Sequence, residues 1–389
     1  MREIGVGMVG YSFMGRAHSN AYRQVSFFYP ELPVKPVLKA ICGRTKEAVD
    51  AAASDMGWEQ AVYDFDELLE RDDIGLIDIN TPNNMHVPMA IKAAQAGKHV
   101  ICEKPLGMTV AETEEALAAV REAGVVHMLC HNYRRAPAIW LAKEMIEAGM
   151  LGEIYHWRGH YLQDWLMDPT APLFWRCQKE IAGSGALGDL MAHSADLALW
   201  LVGDIDSVCG SLNTFVKQRP TLTSTDGGLG GGAGTEMADV TVDDAATALV
   251  KFKCGAMGVF EVTRFAAGHK NYNFFEINGS RGSIRFNLER LNELEYFDAE
   301  DDGKTAGFKT ILASDTIHPF QGLSDGGPRF WPAGHNIGYE HTFINTFADL
   351  FKGIAEGKSP NPNFEDGVKI QKVLAAVEKS SEQATWVTV

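Results

Sequence analysis

The sequence predicts a two-domain α/β protein, with a doubly wound parallel sheet in residues 1–132 and an open-faced, largely antiparallel sheet in residues 133–389. Three observations predict this fold class. The chain of 389 residues exceeds a single ordinary core. Strand-like and helix-like runs alternate through its first third, which is typical of βαβ units. After residue 148 the strand-like runs follow one another through short connections, and several alternate polar and apolar residues.

Composition and charge exclude several classes of protein. Hydrophobic residues make up 46% of the chain and charged residues 22%, as in soluble globular proteins. The formal net charge of −16 argues against a nucleic-acid or membrane partner, because phosphates are bound by excess Lys and Arg. We find no apolar leader behind basic residues and no run of 18 apolar residues. The six cysteines are scattered without metal-ligand spacing, so we expect reduced, buried thiols, a cytoplasmic location and no metal.

The first element is an apolar strand, Ile4–Val9, followed by a glycine turn and a helix. Such a turn lets the backbone approach a pyrophosphate, and the helix N-terminus offers N–H groups and a positive dipole end. Ser12 stands where the fingerprint has its second glycine, which weakens the motif, and a single fingerprint is a poor signal. The turn predicts a dinucleotide site at Gly10, Ser12, Phe13, Met14 and Gly15.

The alternation that follows strengthens this interpretation. It predicts strands and helices at 37–42, 45–56, 66–71, 74–79, 86–95, 99–102, 109–123 and 126–130. Parallel sheets bind ligands at the carboxyl ends of their strands, and every polar cluster here follows a strand. These clusters are 43–45, 81–86, 103–105 and 131–135.

The second strand lacks the acidic residue that would hold an adenosine ribose 2′-hydroxyl. Arg44 stands there instead, and it either meets a 2′-phosphate or adenine, or is a solvated charge at a helix start. The choice between NAD and NADP therefore stays open at this point.

Lys104 lies between Glu103 and Pro105 at the end of a predicted strand. The proline fixes the backbone, so the fold aims the ammonium group, and an aimed ammonium stabilises an alkoxide. A surface lysine at a turn is the alternative, but the position in a predicted cofactor sheet favours function.

A helix predicted over 187–202 places Asp189, His193 and Asp196 at i, i+4 and i+7, opposite an apolar stripe. A carboxylate one turn before an imidazole can orient it as a general base. The glycines before the helix, Gly183 and Gly185, suggest close approach of a ligand. The alternative is a capped core helix with a satisfied histidine.

The rest of the chain predicts the antiparallel sheet. Its strands are expected at 154–162, 207–216, 245–252, 256–265, 271–277 and 283–286, and two helices at 338–356 and 366–384 close the chain. The glycine-rich stretch 221–237 has no strand-to-helix context, so we interpret it as a mobile loop and not as a phosphate cradle. A second irregular segment covers 323–332.

These motifs together closely resemble the Gfo/Idh/MocA oxidoreductases, and the resemblance covers nearly the whole chain. Each motif is weak alone, but their order and spacing are specific. The motifs are Gly10-x-Ser12-x-x-Gly15, Thr81-Pro82-Asn83 with His86, Glu103-Lys104-Pro105, Tyr133-Arg134, and Gly183-x-Gly185 with Asp189-x-x-x-His193.

The resemblance implies a Rossmann domain that binds a nicotinamide cofactor, NAD or NADP, and oligomers, dimers or tetramers, that bury the open sheet face. It implies the catalytic set Lys104, Asp189 and His193. Further cofactor-binding residues are expected at Arg44, Thr81, Pro82, Asn83, His86, Glu103, Lys104 and Asn132.

The tryptophan-rich segment 161–176 precedes the predicted catalytic helix. Flat aromatic faces beside Asp and Arg suit a sugar-like ring, and within the family this segment, with 331–335, is most similar to members that oxidise the anhydrosugar levoglucosan. A loop packed over the helix is the alternative. Substrate-binding residues are expected at Lys104, Tyr133, Arg134, Trp165, Trp175, Arg176, Asp189, His193 and His335.

The sequence thus predicts hydride transfer between NAD, or less favourably NADP, and a ring secondary hydroxyl of a sugar or anhydrosugar. His193 takes the proton, Asp189 supports it and Lys104 stabilises the oxyanion. The net charge, with no Arg/Lys cluster near 161–176 or 183–196, disfavours phosphosugars. Alternatives are an inositol dehydrogenase, a reductase of imines or dicarbonyls, and a non-catalytic dinucleotide-binding regulator, which would not need all three catalytic side chains.

Overall fold

The computed structural model describes residues 2–225 and 231–389. Its first sheet has six parallel strands in the order β3-β2-β1-β4-β5-β6, which confirms the predicted doubly wound fold. The strands are β1 (Arg2–Val9), β2 (Val34–Cys42), β3 (Gln60–Val62), β4 (Leu76–Ile79), β5 (His99–Glu103) and β6 (His127–Cys130), and the helices are α1 (Phe13–Phe28), α2 (Lys46–Met56), α3 (Phe65–Leu69), α4 (His86–Gln95) and α5 (Val110–Ala123).

The strand order reverses between β1 and β4. In doubly wound sheets the crevice at this switch point is where ligands bind, because the crossovers leave it on opposite faces. Gly10 follows β1, and Asn80 and Thr81 follow β4, so the two loops that the sequence singled out flank the crevice.

The second sheet has nine strands in the order β16-β15-β14-β13-β7-β12-β11-β8-β17, and all neighbours are antiparallel except β7 and β12. This confirms the largely antiparallel sheet. Its elements and those around it are α6 (Pro137–Glu147), β7 (Ile154–Leu162), α7 (Lys179–Ala182), a π-helical turn at Leu187–Met191 continuing into α8 (Ala192–Leu201), β8 (Ile205–Asn213), β9 (Gln218–Thr225), β10 (Gly231–Asp239), β11 (Ala245–Phe252), β12 (Met257–Thr263), β13 (Tyr272–Gly279), β14 (Gly282–Asn287), β15 (Glu293–Asp298), β16 (Lys309–Leu312), α9 (Tyr339–Glu356), α10 (Phe364–Gln383) and β17 (Val387–Thr388).

One face of the nine-stranded sheet is covered and the other is open. The period-2 pattern of β11 buries Ala246, Ala248 and Val250 in the core that the sheet shares with α6, α8 and α10. The outer face is mixed, because Leu249 and Met257 are more than half exposed and the same face also carries charged pairs such as Arg285–Glu295.

The helix α9, the second-to-last helix of the chain, packs on the first domain. Its Phe343, Phe347 and Phe351 are fully buried in one core with α1, and the Tyr22 ring lies 4.3 Å from that of Phe347. The predicted division at residue 132 stays a prediction, but the N-terminal core includes this returning helix.

Two sequence-based expectations need correction. Most of the predicted mobile loop 221–237 lies in an antiparallel pair, β9 and β10, because the alternating threonines of β9 suit a paired strand; residues 226–230 lie outside the described residues. All six cysteines are free, but Cys209 is half-buried and Cys254 is exposed. Among residues 2–225 and 231–389, no helix combines the length and apolar composition needed to cross a bilayer.

Candidate active site

The glycine turn after β1 has the geometry of a phosphate-binding turn. Gly10 has a φ of 97°, which other residues avoid, and a Cβ on Gly15 would collide with the Gly10 carbonyl. Ser12 is the N-cap of α1, and its hydroxyl makes no capping bond, so it and the first-turn N–H groups can meet an anion. Phe13 is exposed, with its ring 6.3 Å from Tyr339, and Met14 is half-buried beside it.

The side chains of the loop after β4 mostly contact backbone carbonyls of the protein. His86 bridges two carbonyls, with Nδ1 2.7 Å from the Pro105 oxygen and Nε2 2.8 Å from that of Thr81, and Asn83 Nδ2 donates to Ala182 O at 2.9 Å. The two side chains therefore fix the loop, with Pro82 between them, instead of facing a ligand. Thr81 Oγ1 is buried and has no partner among the described residues.

Two other predicted cofactor residues lie at the margins. Arg44 is exposed at the end of β2, just before α2. Asn132, after β6, donates to Thr342 Oγ1 at 2.8 Å and so ties the strand end to α9.

Lys104 and Asp189 form the centre of the candidate site. Lys104 Nζ donates to Asp189 Oδ1 and to the Asp189 carbonyl oxygen, both at 2.9 Å. The ammonium has three N–H donors, so one remains for a ligand. The lysine side chain is 16% exposed and the aspartate side chain 23%, which means that the pair is open to a bound molecule.

Two arginines that sequence reasoning did not connect with Asp189 complete a cationic cluster. Arg264, directly after β12, is buried and donates through Nη2 to Asp189 Oδ2 at 3.0 Å. Arg176 lies over the Trp175 ring at 4.3 Å and is near enough to Asp189 to act on its charge. Burial raises the pKa of Asp189, but Lys104, Arg264 and Arg176 outweigh it and hold the pKa far below the usual value.

This cluster corrects the expectation that no Arg/Lys group lies near the site. The net charge of −16 is spread over the surface, whereas the site itself carries three cations around one carboxylate. A signal for Arg264 existed, because it is a polar residue at a strand end, as Lys104 is, but its partner is 75 positions away.

His193 lies close to Lys104, but Asp189 does not hold it. Asp189 spends both carboxylate oxygens on Lys104 and Arg264, and the π-helical turn before His193 removes the i, i+4 register of a regular helix. The imidazole instead packs against Tyr133, with ring centroids 4.6 Å apart, and against His131 at 5.3 Å. The predicted role of Asp189 in orienting His193 is therefore replaced by aromatic packing.

The protonation of His193 follows from its surroundings. Burial, Lys104 and His131 lower the pKa of His193 well below its usual value, against the opposing effect of Asp189. The imidazole is thus neutral at physiological pH. Its Nδ1 is buried without a partner in the part of the chain that the structure describes, so Nε2 is the nitrogen that a ligand can reach.

Arg134 and Asp196 do not belong to this site. Arg134 is buried and binds Asp196 through Nε at 3.0 Å and through Nη2 at 2.6 Å, and it also contacts Asp366. Burial raises the pKa of Asp196 to about 6 despite this ion pair. Arg134 was predicted to bind substrate, and Asp196 was predicted to share a helix face with Asp189 and His193. The buried Asp196 carboxylate needs a buried cation as its partner, so Arg134 stabilises the fold and does not bind a ligand.

The aromatic segment reaches the site through a hydrogen-bonded chain. Trp165 Nε1 donates to Gln163, Gln163 donates to Asn271, and Tyr161 also donates to Asn271, at 2.7–2.9 Å. The Tyr161 hydroxyl lies 2.9 Å from that of Tyr133, whose ring packs on His193. Trp165 therefore borders the site, with the Arg264 guanidinium 5.5 Å from its ring centroid.

His335 is not brought to the site. It is exposed, and its Nδ1 contacts the Pro332 carbonyl at 2.9 Å within a local turn. Gly185 also differs from expectation, because the close neighbour that excludes a Cβ there is the Asp243 backbone. The Asp243 carboxylate accepts from the N–H groups of Gly185 and Leu187 and so caps the turn that carries Asp189.

Comparison with known proteins agrees with this geometry. Residues 4–131 match the model of an oxidoreductase family with an NAD-binding Rossmann fold, and residues 139–285 match the GFO/IDH/MocA C-terminal domain. The chain is 42% identical to levoglucosan dehydrogenase of Pseudarthrobacter phenanthrenivorans, with 100% of this chain and 99% of the relative covered.

Solved structures give the same result. An oxidoreductase domain protein from Kribbella flavida is 49% identical with a TM-score of 0.92, and each chain is covered completely. A levoglucosan dehydrogenase in complex with NADH and levoglucosan is 41% identical with a TM-score of 0.93, also with 100% of both chains covered.

Proposed function

The chain belongs to the GFO/IDH/MocA oxidoreductase family, and from that premise we propose that it oxidises a ring secondary hydroxyl of a neutral sugar or anhydrosugar resembling levoglucosan. The predictions of family, NAD-dependent dehydrogenase activity and NAD as cofactor are confirmed. A non-catalytic regulator is thereby set aside. The observation that carries the finer proposal is the Lys104–Asp189–Arg264 cluster beside a neutral His193.

The residues present fit a bound dinucleotide. The turn at Gly10–Gly15 combines a positive φ, a backbone too close for side chains and an uncapped helix start, which together suit a pyrophosphate. Bound NAD⁺ supplies the hydride acceptor. The absence of an acid after β2 and the exposed Arg44 leave room for NADP, so NAD preference is part of the proposal.

Lys104 polarises the substrate. Asp189 holds two of its three N–H donors, and Arg264 holds Asp189 from the other side, so the third donor has a defined direction. A donor fixed before the reaction stabilises an oxygen on which negative charge develops, at no cost of reorganisation. The strongly depressed pKa of Asp189 keeps its charge in place at every working pH.

His193 takes the hydroxyl proton. A neutral imidazole has the free lone pair that a base needs, and its reachable nitrogen is Nε2. Lys104 lowers the pKa of His193 and Asp189 raises it. When negative charge develops on the substrate oxygen, it offsets the charge of Lys104, so His193 can accept the proton. Tyr133 and His131 keep the ring plane fixed during the transfer.

The choice of a neutral ring rests on the aromatic wall and on the relatives. Trp165 borders the site, and Trp175 supports Arg176, whose donors can meet ring hydroxyls. The net charge of the chain does not disfavour a phosphosugar at this site, because Lys104, Arg264 and Arg176 surround Asp189. The relative whose name specifies levoglucosan matches the whole chain, and this similarity favours the anhydrosugar.

Initial rates on a substrate panel test the proposal. Levoglucosan, glucose, xylose, myo-inositol and a phosphosugar are compared with NAD and with NADP by the absorbance of the reduced cofactor. We expect levoglucosan or another pyranose with NAD to have the highest kcat/KM. A preference for myo-inositol or the phosphosugar above about tenfold, or roughly 1.4 kcal/mol of discrimination, would contradict the sugar assignment.

We also propose that the open face of the nine-stranded sheet joins copies of the chain into a dimer or tetramer. Its apolar side chains, with Leu249 and Met257 more than half exposed, lie among charged pairs that a second copy can complement. The residues of the candidate site are on the covered side, next to α8.

A further inference from the structure

A charged cluster is buried beneath the cofactor turn, and the mechanism above does not use it. His18, on α1, has no exposed surface, and each of its ring nitrogens faces a carboxylate. Nδ1 lies 2.9 Å from Asp78 Oδ2, on β4, and Nε2 lies 3.1 Å from Glu103 Oε1, on β5. The cluster therefore joins a helix and two strands at the carboxyl edge of the sheet.

This geometry favours an imidazolium. A neutral imidazole has one N–H, so with both carboxyl groups ionised one ring nitrogen would set its lone pair against carboxylate lone pairs. Burial lowers the pKa of His18, but Asp78 and Cys130 outweigh burial and raise the pKa well above the usual value. The Asp78 carboxylate has a second partner, because the hydroxyl of Tyr22, also on α1, donates to its Oδ2 at 2.9 Å.

Both arms of the cluster end at the candidate site. Glu103 Oε2 accepts from the Lys104 backbone N–H at 3.1 Å. Asp78 Oδ1 accepts from Asn80 Nδ2 at 2.8 Å, and the Asn80 carbonyl is the group that bars a Cβ at Gly10. One cation thus connects the peptide of Lys104 with the cofactor turn.

We propose that His18 is a positioning residue, whose permanent positive charge keeps Glu103 ionised and so holds the Lys104 peptide and the cofactor turn in register. This alignment of Lys104 with the cofactor turn matters for catalysis only if the hydride transfer proposed above is correct, so the inference rests on that proposed function. Burial raises the pKa of Glu103, and His18 is the main group that lowers it again. Without His18 the carboxyl group would take up a proton.

The pKa shifts of the neighbouring His86, His131 and Cys130 move these groups away from titration between pH 6 and 9. Burial lowers the pKa of His86 and that of His131, the latter to about 3, and burial raises the pKa of Cys130 to about 12. The titratable or charged groups around Glu103 are His18 and Tyr22 from α1, Asp78 from β4, His86 from α4, Cys102 and Lys104 beside it, Cys130 and His131 from β6 and its end, Tyr133, Arg176, and Tyr339 from α9.

The first experiment compares His18→Gln with the double variant His18→Gln/Glu103→Gln. We expect the single variant to gain an acid limb in kcat/KM for NAD, with a further loss of about tenfold between pH 8.5 and pH 6 that the wild type lacks. In the double variant no carboxyl group remains at position 103, so the limb should vanish. A folded single variant with the wild-type pH profile would overturn the proposal.

The second experiment needs no substrate. Nitrogen-15 NMR of histidine-labelled protein, assigned by difference from His18→Gln, should show both ring nitrogens of His18 protonated at pH 7. The difference in melting temperature between wild type and His18→Gln should be largest below about pH 6.5, the pKa of histidine in the unfolded chain, and should become smaller above it. A group whose pKa is raised by folding stabilises the native state fully below its unfolded pKa, and this stability is lost as the pH rises through its folded pKa.

The outcomes separate this inference from the substrate assignment. A neutral His18 at pH 7 would overturn the inference, whatever the substrate is. So would stoichiometric binding of zinc by His18, Glu103 and Cys130, because the ligand atoms of these residues lie within 4.8 Å of one another. An inactive substrate panel with a protonated His18 would overturn the proposed function alone. If His18→Gln does not fold, Glu103→Gln takes over: a pH-independent loss of at least about tenfold supports the proposal, and full activity contradicts it.

Discussion

Replacing Arg264 by methionine tests whether the cationic cluster positions the reacting groups. Arg264 donates to Asp189 Oδ2 at 3.0 Å and to the Arg176 carbonyl at 3.1 Å, and its side chain is 1% exposed. Methionine keeps most of the length and removes both donors. We expect a lower kcat/KM for the sugar with little change in NADH affinity. Without Arg264, the Asp189 carboxylate keeps only its hydrogen bond to Lys104, so neither side chain is held in one position.

The size of the effect follows from the lost bond to Asp189. A buried hydrogen bond to a charged group contributes about 1.5–3 kcal/mol. At about 1.36 kcal/mol for each factor of ten, kcat/KM should fall by about 10- to 150-fold. The pKa of Asp189 rises in the variant but the group stays ionised, since Lys104 and Arg176 remain beside it. The lost bond to the Arg176 carbonyl lowers the stability of the variant as well.

The assay is the initial rate of NADH formation at saturating NAD, together with NADH binding by fluorescence and the melting temperature. Arg281→Met is the matched control, because Arg281 is 61% exposed and pairs with Glu300 at the surface, where such a pair contributes about 0–1 kcal/mol. A folded Arg264→Met enzyme within about threefold of wild-type kcat/KM would refute the positioning role of the cluster.

Other predictions concern the catalytic pair, the buried ion pair and the assembly. Lys104→Ala should slow turnover by about 10²-fold or more with NADH affinity intact, measured by steady-state rates and binding; full activity would contradict its role. His193→Ala should lose a similar factor and recover part of it at high pH, where hydroxide replaces the base, and a flat pH profile would count against it. Arg134→Met should cost about 3–5 kcal/mol of stability in chemical denaturation, since Asp196 is left buried and unpaired, and a change in KM without a stability loss would return Arg134 to the substrate site. Leu249→Arg should convert the oligomer to a smaller species in light scattering, and an unchanged mass would remove the open face from the interface.

Local signals in the sequence predicted most of the fold. The glycine turn, the capped helices and the alternation of strands are decided within a few residues, so Gly10, the strand ends at Thr81 and Lys104, and the helix with Asp189 were found at their places. The pair β9–β10 was missed because glycine and serine are poor strand signals and tertiary context decided their pairing.

Contacts between distant residues could not be predicted. Asp189 meets Arg264 because β12 ends beside the π-helical turn, and no periodicity reports that register. Arg134 matched a motif, but whether it faced a ligand or Asp196 depended on which side of the helix the fold buries. His335 followed a local similarity, and its loop does not reach the site.

The most direct test of the central claim is the fate of one ring hydrogen. The enzyme is given levoglucosan deuterated at a single ring carbon, with a separate sample for each secondary alcohol carbon, and the NADH formed is examined by mass spectrometry. The account predicts one deuterium in NADH from one of these samples and none from the others, since a fixed Lys104 and His193 present one hydroxyl to the cofactor. NADH without deuterium from every sample, or no NADH from levoglucosan at all, would contradict it.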